Sequence, residues 1–213
     1  MLKYHLVDTF AKVNYPSSLI EEAVNELSKF PGVGKKSALR MVLFLLKQSP
    51  ADARKLGESV INMREKINYC KRCFNVSDYD LCNICSNPKR IAQTICVVED
   101  LRDVIAIENT NQHNGMYHVL GGVISPMNGI GPDELKIDEL VLRVKTEEIT
   151  EIIMALSPTP EGDTTIYYLS KKLAGLDVKI STISRGIAIG GELEYADEIT
   201  LGRSIVTRIP YQM

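Results

Sequence analysis

The sequence predicts a multi-part α/β protein, on three observations. Helical periodicity dominates the N-terminal part, four cysteines follow as two close pairs, and segments typical of strands and helices then alternate. Such alternation is typical of a mainly parallel sheet covered by helices. With 213 residues, 45% of them hydrophobic and 24% charged, the chain can bury a core of this kind and is not expected to be disordered.

Three helices are predicted before the cysteines. The pattern Ser18-x-x-Glu21 forms a capping box, and apolar residues at helical spacing predict a first helix from about Leu19 to about Phe30. A second helix over residues 37–46 is almost wholly apolar and is expected to be buried nearly all round. Pro50 restarts the chain into a third helix that leads to the first cysteine.

The turn between the first two helices, residues 30–36, reads Phe-Pro-Gly-Val-Gly-Lys-Lys and resembles a helix-hairpin-helix motif. Its glycines permit a tight turn, and the helix that follows offers free N–H groups to phosphate. Contacts of this kind predict DNA binding without sequence preference. A purely structural corner between helices is the alternative. The residues expected at the DNA are Gly32, Gly34, Lys35, Lys36 and Arg40.

Charge is distributed unevenly along the chain. Residues 1–90 carry 15 basic and 9 acidic side chains, hence +6, whereas residues 91–213 carry 10 basic and 18 acidic side chains, hence −8. A basic N-terminal segment suits a phosphate-binding surface. The alternative is an ordinary scatter of charge between domains.

The cysteines have the spacing of a metal site. Cys70-x2-Cys73 and Cys82-x2-Cys85 offer four thiolates, which predicts one tetrahedral structural Zn²⁺ per chain with no open position for a catalytic water. The fifth cysteine, Cys96, lies in an apolar run and is expected to be a small buried hydrophobe.

The cellular location is predicted from what the sequence lacks. No run of eighteen apolar residues and no apolar leader occur in the sequence, which predicts a cytoplasmic protein without a membrane segment.

The second half of the chain alternates between strands and helices. The predicted strands cover residues 95–98, 117–120, 151–156 and 178–183, and the predicted helices cover 103–109, 137–145 and 163–174. Of the histidines in this half, His118 is expected inside a strand, buried or partly buried, and His113 in an exposed polar loop.

Three acidic residues are candidates for a second site. Glu99 stands at the carboxyl end of a predicted strand, and Glu161-Gly162-Asp163 follows a later strand. This arrangement resembles the Toprim fold, in which such carboxylates hold Mg²⁺. The residues themselves leave open whether the trio binds Mg²⁺ weakly, forms a partner-binding face, or caps a helix N-terminus.

The order of modules, helix-hairpin-helix, four-cysteine zinc finger and Toprim-like domain, resembles the RecR family of bacterial recombination mediators from end to end. Residues 97–99, 103–108, 117–122 and 190–197 follow the family pattern closely. The segment 157–165, Ser-Pro-Thr-Pro-Glu-Gly-Asp-Thr-Thr, departs from it, as does Ala188.

The resemblance implies a DNA repair protein without catalytic activity. It implies a ring-shaped homotetramer around DNA that helps load the recombinase together with RecO-type and RecF-type partners. Its subunit contacts would come from the N-terminal module and the C-terminal region. The corresponding boundaries are 1–52 for the hairpin module, 53–90 for the third helix and zinc finger, 91–175 for the Toprim-like domain and 176–213 for the C-terminal strand and helix region.

Two other functions compete with this one. A Mg²⁺-dependent Toprim nuclease acting on DNA or RNA would use Glu99, Glu161 and Asp163, but the chain has no evident domain with a tyrosine nucleophile. A protein-binding adaptor would use the zinc module and the acidic sheet face, with DNA contact incidental.

Overall fold

The computed structural model describes residues 14–187 and 189–210, and it confirms a mixed α/β protein. The chain forms two compact units, residues 1–65 and residues 66–213. None of the described helices is both long enough and apolar enough to cross a membrane.

The first unit begins with helix α1, Ser18–Leu27. Its N-cap is Ser17, whose hydroxyl accepts a hydrogen bond from the Leu19 amide at 3.2 Å. The predicted capping box at Ser18 was therefore wrong by one residue, because Ser17 has the extended backbone that a cap requires and Ser18 is already helical.

Helix α2, Lys35–Leu45, packs on α1 around a small core of Val24, Ala38 and Val42. The prediction that this helix is buried nearly all round was wrong. Leu43 and Phe44 are exposed, Phe44 by 63%, because α1 covers one face of α2 and leaves the opposite apolar face open. Helix α3, Pro50–Lys66, follows, and none of its residues is buried in the described chain.

The second unit opens with a two-stranded antiparallel hairpin, β1 (Asn68–Tyr69) and β2 (Val76–Ser77), which frames the first cysteine pair. A four-stranded parallel sheet follows, in the order β4-β3-β5-β6. Its strands are β3 (Ile91–Val98), β4 (Gly115–Val119), β5 (Glu151–Met154) and β6 (Lys179–Thr182).

The connections between these strands are helical, as the alternation predicted. The helices are α4 (Leu101–Thr110), α5 (Ile137–Thr146), α6 (Pro160–Lys172) and, after the sheet, α7 (Glu198–Val206). Strand β3 begins at Ile91, four residues before its predicted start. The prediction missed these residues because the first three of them are exposed and lack an apolar pattern.

The core of the second unit lies between the sheet and its helices. Central strands contribute Ile95, Val97, Ile152 and Met154, all fully buried, and Leu169 of α6 packs against them. Because the sheet is parallel, the carboxyl ends of β3, β5 and β6 lie at one edge, which is where ligands bind in folds of this class.

Candidate functional site

The four paired cysteines form a compact buried cluster. The Sγ atoms of Cys70, Cys73, Cys82 and Cys85 all lie within 4.8 Å of one another, and those of Cys73 and Cys82 are 3.5 Å apart. Four thiolates bound to one tetrahedral Zn²⁺ at about 2.3 Å stand roughly 3.8 Å from each other. The cluster therefore fits the ion, and the predicted structural zinc site is confirmed.

Backbone hydrogen bonds shape each cysteine pair into a tight turn. The Phe74 amide donates to the Cys70 carbonyl at 2.9 Å, and the Ser86 amide donates to the Cys82 carbonyl at 3.0 Å. The Cys85 amide also points at the Cys82 sulfur, 3.4 Å away. Because such N–H groups stabilise negative sulfur, the turns prepare the thiolates for the metal.

The turn of the first cysteine pair, residues 70–74, is called the zinc turn here, and it packs directly against the sheet. The Cys73 carbonyl accepts a hydrogen bond from the Val119 amide of β4 at 2.8 Å. Phe74 has a positive φ of 62°, and its ring packs edge-on against the buried His118 ring, with centroids 5.4 Å apart. The metal segment thus shares its packing with the sheet domain.

An ionic cluster reinforces the same junction. Arg72 of the zinc turn and Arg143 of α5 both bind the Glu147 carboxylate, at 2.8 Å and 3.1 Å. Burial alone would raise the pKa of Glu147, but the hydrogen bonds and charges of the two arginines outweigh it and hold the pKa below its ordinary value. Arg143, almost fully buried, also donates to the Tyr117 carbonyl at 2.7 Å.

The fifth cysteine lies apart from the zinc cluster. Cys96 is buried in β3 among apolar residues, and burial raises the pKa of its thiol to about 12. The thiol is therefore neutral at ordinary pH and packs as a small hydrophobe, as expected.

The turn between α1 and α2 is tight and leads directly into the N-terminus of α2. Gly32 has a φ of +78°, a conformation that glycine adopts without strain, and the Val33 amide closes the turn on the Phe30 carbonyl at 3.0 Å. Gly34 is the N-cap of α2, and no side chain of the described residues caps the amides that follow it. These N–H groups are available to an anionic ligand.

Three cationic side chains lie along the N-terminal half of α2. Lys36 and Arg40 are exposed. Lys35 is exposed as well, but its ammonium group donates to the Asn25 side chain at 2.8 Å and so ties the turn to α1. Lys35 and Lys36 thus lie in the first turn of α2 next to Gly34, whereas Arg40 lies about one turn further along, at the middle of the helix.

Glu99 lies at the carboxyl end of β3, as predicted. Its neighbours Asp100 and Asp103 form a capping box at the start of α4, in which the Asp103 carboxylate accepts from the Glu99 and Asp100 amides. Burial, followed by the negative charges of Asp103 and Asp100, raises the pKa of Glu99.

Glu161 and Asp163 lie in the first turn of α6, which begins at Pro160, three residues before its predicted start at Asp163. Gly162 between them is required by close packing, since an added Cβ would stand 2.0 Å from the Ser157 carbonyl oxygen. The Asp163 carboxylate is bound by the Arg185 guanidinium through two hydrogen bonds, and Arg203 stands 3.9 Å away. Hydrogen bonding from Arg185 lowers the pKa of Asp163.

The acidic trio is not gathered into a metal cluster. Within residues 14–187 and 189–210, the zinc cysteines form the only group of three or more Cys, His, Asp or Glu residues whose ligand atoms lie within 4.8 Å of each other. The arginine pair at Asp163 was not predicted, because Arg185 is separated from it by a helix and a strand. The Asp100-x-x-Asp103 pattern, in contrast, was readable as a capping box.

The two histidines of the sheet domain play structural roles. His118 is fully buried in β4, and its Nε2 lies 2.6 Å from the Lys136 carbonyl oxygen. Burial lowers the pKa of His118 to about 4. His113 is half-buried rather than exposed, because its ring packs against Tyr117 with centroids 4.9 Å apart and its Nε2 lies 3.2 Å from the Met116 carbonyl.

Four family models match successive parts of the chain. The model described as RecR, helix-hairpin-helix, matches residues 20–63, and the model of the four-cysteine zinc finger domain of RecR matches residues 67–87. A Toprim domain matches residues 93–184, and the RecR C-terminal model matches residues 186–209.

Curated relatives match over nearly the whole chain. The chain is 58% identical over 201 residues to the recombination protein RecR of Cytophaga hutchinsonii, covering 94% of this chain and 98% of that one. It is 59% identical to that of Phocaeicola vulgatus, covering 91% and 95%, and 56% identical to that of Flavobacterium johnsoniae, covering 94% and 97%. With all four modules in the order predicted, the chain belongs to the RecR family of recombination proteins.

Proposed function

We propose that this chain is a non-enzymatic mediator of recombination and DNA repair, which binds DNA without sequence preference through the hairpin between α1 and α2. The observation that carries the proposal is the open N-terminus of α2 at Gly34, with Lys36 exposed in the first turn and Arg40 exposed about one turn further along. A helix N-terminus with adjacent cations complements phosphate and reads no base. The relatives' name, recombination protein, supports the role.

The residues proposed to contact DNA contribute main-chain and side-chain groups, which have different roles. The glycines let the backbone approach phosphate closely, and the cations add attraction that salt screens. Lys35 contributes charge while holding the turn on α1 through Asn25. The full set is Gly32, Gly34, Lys35, Lys36 and Arg40.

We propose further that the protein assembles as a homotetrameric ring around DNA in the cytoplasm, and that RecO-type and RecF-type proteins bind it to load the recombinase. Family membership supports this assembly. The exposed apolar residues of the first unit, including Phe44 and Leu46, also supply the type of surface that subunit contacts use. In this proposal the segments 1–52, 53–90, 91–175 and 176–213 carry DNA binding, zinc, the Toprim-like sheet and subunit contact, respectively.

The absence of catalysis is part of the proposal. Phosphoryl transfer by metals needs several carboxylates fixed around the ion, whereas Asp163 is held by Arg185 and the trio is not clustered in the described residues. The acidic residues Glu99 and Glu161 instead suit a partner-binding face with at most weak affinity for Mg²⁺.

The test is DNA binding by fluorescence anisotropy with labelled single-stranded and duplex oligonucleotides at several salt concentrations. Lys36→Glu combined with Arg40→Glu should weaken binding by on the order of a hundredfold, and the slope of log affinity against log salt should become shallower by about 2.

The matched control is Lys89→Glu with Lys145→Glu, which makes the same change in net charge on exposed lysines of the second unit. Its affinity should fall much less. Equal losses in both double variants would show that net charge, and not the hairpin, governs binding, and would contradict the proposal. Light scattering of the same samples tests for a tetramer.

A further inference from the structure

The metal centre carries a charge that its own ligands do not balance. Four thiolates outweigh the charge of Zn²⁺ and leave the centre negative, and the four cysteines that supply them are buried. A buried charge is costly unless an opposite charge or hydrogen bonds offset it. The basic residues between positions 66 and 90 are the candidates for this role, and they are Lys66, Lys71, Arg72, Lys89 and Arg90.

The three lysines of this set are exposed. The ammonium group of Lys71 forms an ion pair with the Asp80 carboxylate at 2.6 Å, and both side chains of this pair are more than two-thirds exposed. Water and salt screen such surface charges, so their effect on a buried centre is small. The lysines are therefore poor partners for the zinc thiolates.

Arg90 is partly buried, but its guanidinium group is committed elsewhere. It binds the Glu108 carboxylate and also donates to the carbonyl oxygens of His113 and Gly115, at 3.2 Å and 3.4 Å. These contacts bind the residue before β3 to α4 and to the start of β4. Arg90 thus serves the sheet, and one candidate is left.

Arg72 lies inside the zinc turn, between the ligands Cys70 and Cys73. Its Nε and Nη2 atoms donate to the two oxygens of the Glu147 carboxylate, at 3.2 Å and 2.8 Å. Its Nη1 atom makes no hydrogen bond with any residue that the structure describes. The paired bonds hold the partly buried guanidinium group in a fixed orientation, within the turn that supplies two of the ligands.

The carboxylate that holds Arg72 does not cancel its charge. Glu147 also binds Arg143, at 3.1 Å, so one negative group serves two cations. Hydrogen bonding to this carboxylate raises the pKa of Arg72, and negative charge on the Cys85 and Cys70 sulfurs acts in the same direction. The junction therefore has an excess of positive charge beside the metal centre.

We propose that Arg72 offsets the negative charge of the zinc centre and so tightens zinc binding, with Glu147 as the residue that positions it. Groups beyond the ligands themselves typically change metal affinity by about ten- to a hundredfold. Arginine suits this role because it stays charged, and because its planar fork binds a carboxylate while further N–H groups remain for another anion. The role concerns the metal centre and does not depend on how the protein binds DNA.

The test measures the zinc affinity of the full-length, zinc-loaded protein by competition with a chromophoric chelator. Arg72→Gln should weaken zinc binding about tenfold, because it keeps a polar side chain but removes the charge. Arg72→Lys restores the charge and should recover most of the loss. Lys71→Gln is the matched control, since it makes the same change in net charge on the adjacent, exposed residue, and its affinity should stay within about twofold of the parent's.

Two further measurements separate this role from a purely structural link between the zinc turn and α5. Glu147→Gln should bind zinc at least as tightly as the parent, because it removes a competing negative charge while its amide oxygen still accepts from Arg72. In Co²⁺-substituted protein, Arg72→Gln should move the thiolate-to-metal charge-transfer bands to longer wavelength, because the sulfur electrons lose a nearby positive charge. A variant that is only less stable would keep the position of these bands.

Zinc affinity in Arg72→Gln equal to the parent's would overturn the proposal. So would equal losses in Arg72→Gln and Glu147→Gln, since the ion pair would then act only as a structural link. Charge-transfer bands that Arg72→Gln leaves in place would have the same meaning. The ligands themselves are tested separately by Cys73→Ser, so failure of this proposal and failure of the zinc site are distinguishable.

Discussion

The backbone amide of Val119 donates a hydrogen bond to the carbonyl oxygen of Cys73, across an N···O distance of 2.8 Å. Cys73 is a zinc ligand, and Val119 is the last residue of β4, the edge strand of the parallel sheet. The zinc turn therefore protects part of an edge that would otherwise present unpaired backbone groups. Metal binding and the stability of the sheet are coupled through this bond.

Replacing Cys73 with Ser should release the zinc and loosen the edge of the sheet, since three ligands hold Zn²⁺ far less tightly than four. Amide exchange of Val119 should become at least about tenfold faster, by mass spectrometry, while that of Ile152 in a central strand changes less. Cys96→Ala is the control, because it removes a buried thiol outside the cluster and should leave one zinc per chain. A full equivalent of zinc in Cys73→Ser would contradict this account.

Stability should depend on His118 between about pH 7 and pH 5. The Lys136 carbonyl can only accept, so the ring donates from Nε2, and the neutral ring is buried with a pKa of about 4, below its ordinary 6.5. The unfolded chain therefore binds a proton first as pH falls, and stability decreases toward acid by about 2 kcal/mol over this range.

Urea unfolding at a series of pH values checks the histidine effect. His118→Gln keeps a donor for the Lys136 carbonyl but does not titrate, so its stability should vary less with pH over the same range. A parallel pH dependence in both proteins would assign the effect to other groups, such as the zinc thiolates.

Gly34→Ser should separate folding from DNA binding. Serine is a better N-cap than glycine, and a Cβ at this position meets no atom within 4 Å, so the free energy of unfolding should rise by a few tenths of a kcal/mol. The new hydroxyl would engage an amide that phosphate needs and would stand in the path of the backbone. DNA affinity should therefore fall about tenfold, by anisotropy, and affinity equal to the parent's would move the contact away from this helix end.

The purified protein should not cleave DNA or RNA. Single-stranded, duplex and gapped substrates incubated with Mg²⁺ and then Mn²⁺ should remain intact on denaturing gels, because Asp163 is committed to Arg185. Glu99→Ala run beside the parent identifies contamination. Cleavage that disappears in Glu99→Ala would establish a nuclease and remove the mediator proposal.

Most of the architecture could be predicted because its signals are local. Each strand of the four-stranded sheet was predicted from a short apolar segment that lies between helical segments. The metal site was predicted from the spacing of its cysteines, Cys70, Cys73, Cys82 and Cys85, without knowledge of the fold. Element ends shifted where the pattern fades, as at Ile91 in the exposed start of β3. The packing partners of each helix were harder to predict. The exposure of Phe44 depends on which elements pack against α2 and not on the sequence of α2 itself.

The candidate acidic site could be predicted only in part. The position of Glu99 follows from the strand before it, but the pairing of Asp163 with Arg185 depends on where the chain goes after β6. Electrostatic partners separated by a helix and a strand leave no periodic signal. The same holds for Arg143, whose carbonyl partner on Tyr117 lies 26 residues away.

Helix α3 buries none of its 17 residues in the described chain, although Val60, Ile61 and Met63 are apolar. In proteins most of the stability of a helix comes from tertiary packing of one face rather than from the propensity of its residues. If subunits of the proposed ring cover the apolar surface of α3, the stability of this helix depends on assembly and therefore on protein concentration. Its helical content then reports how much of the protein is assembled. Far-UV circular dichroism per residue would then decrease on dilution, before the zinc-bound sheet domain loses any structure.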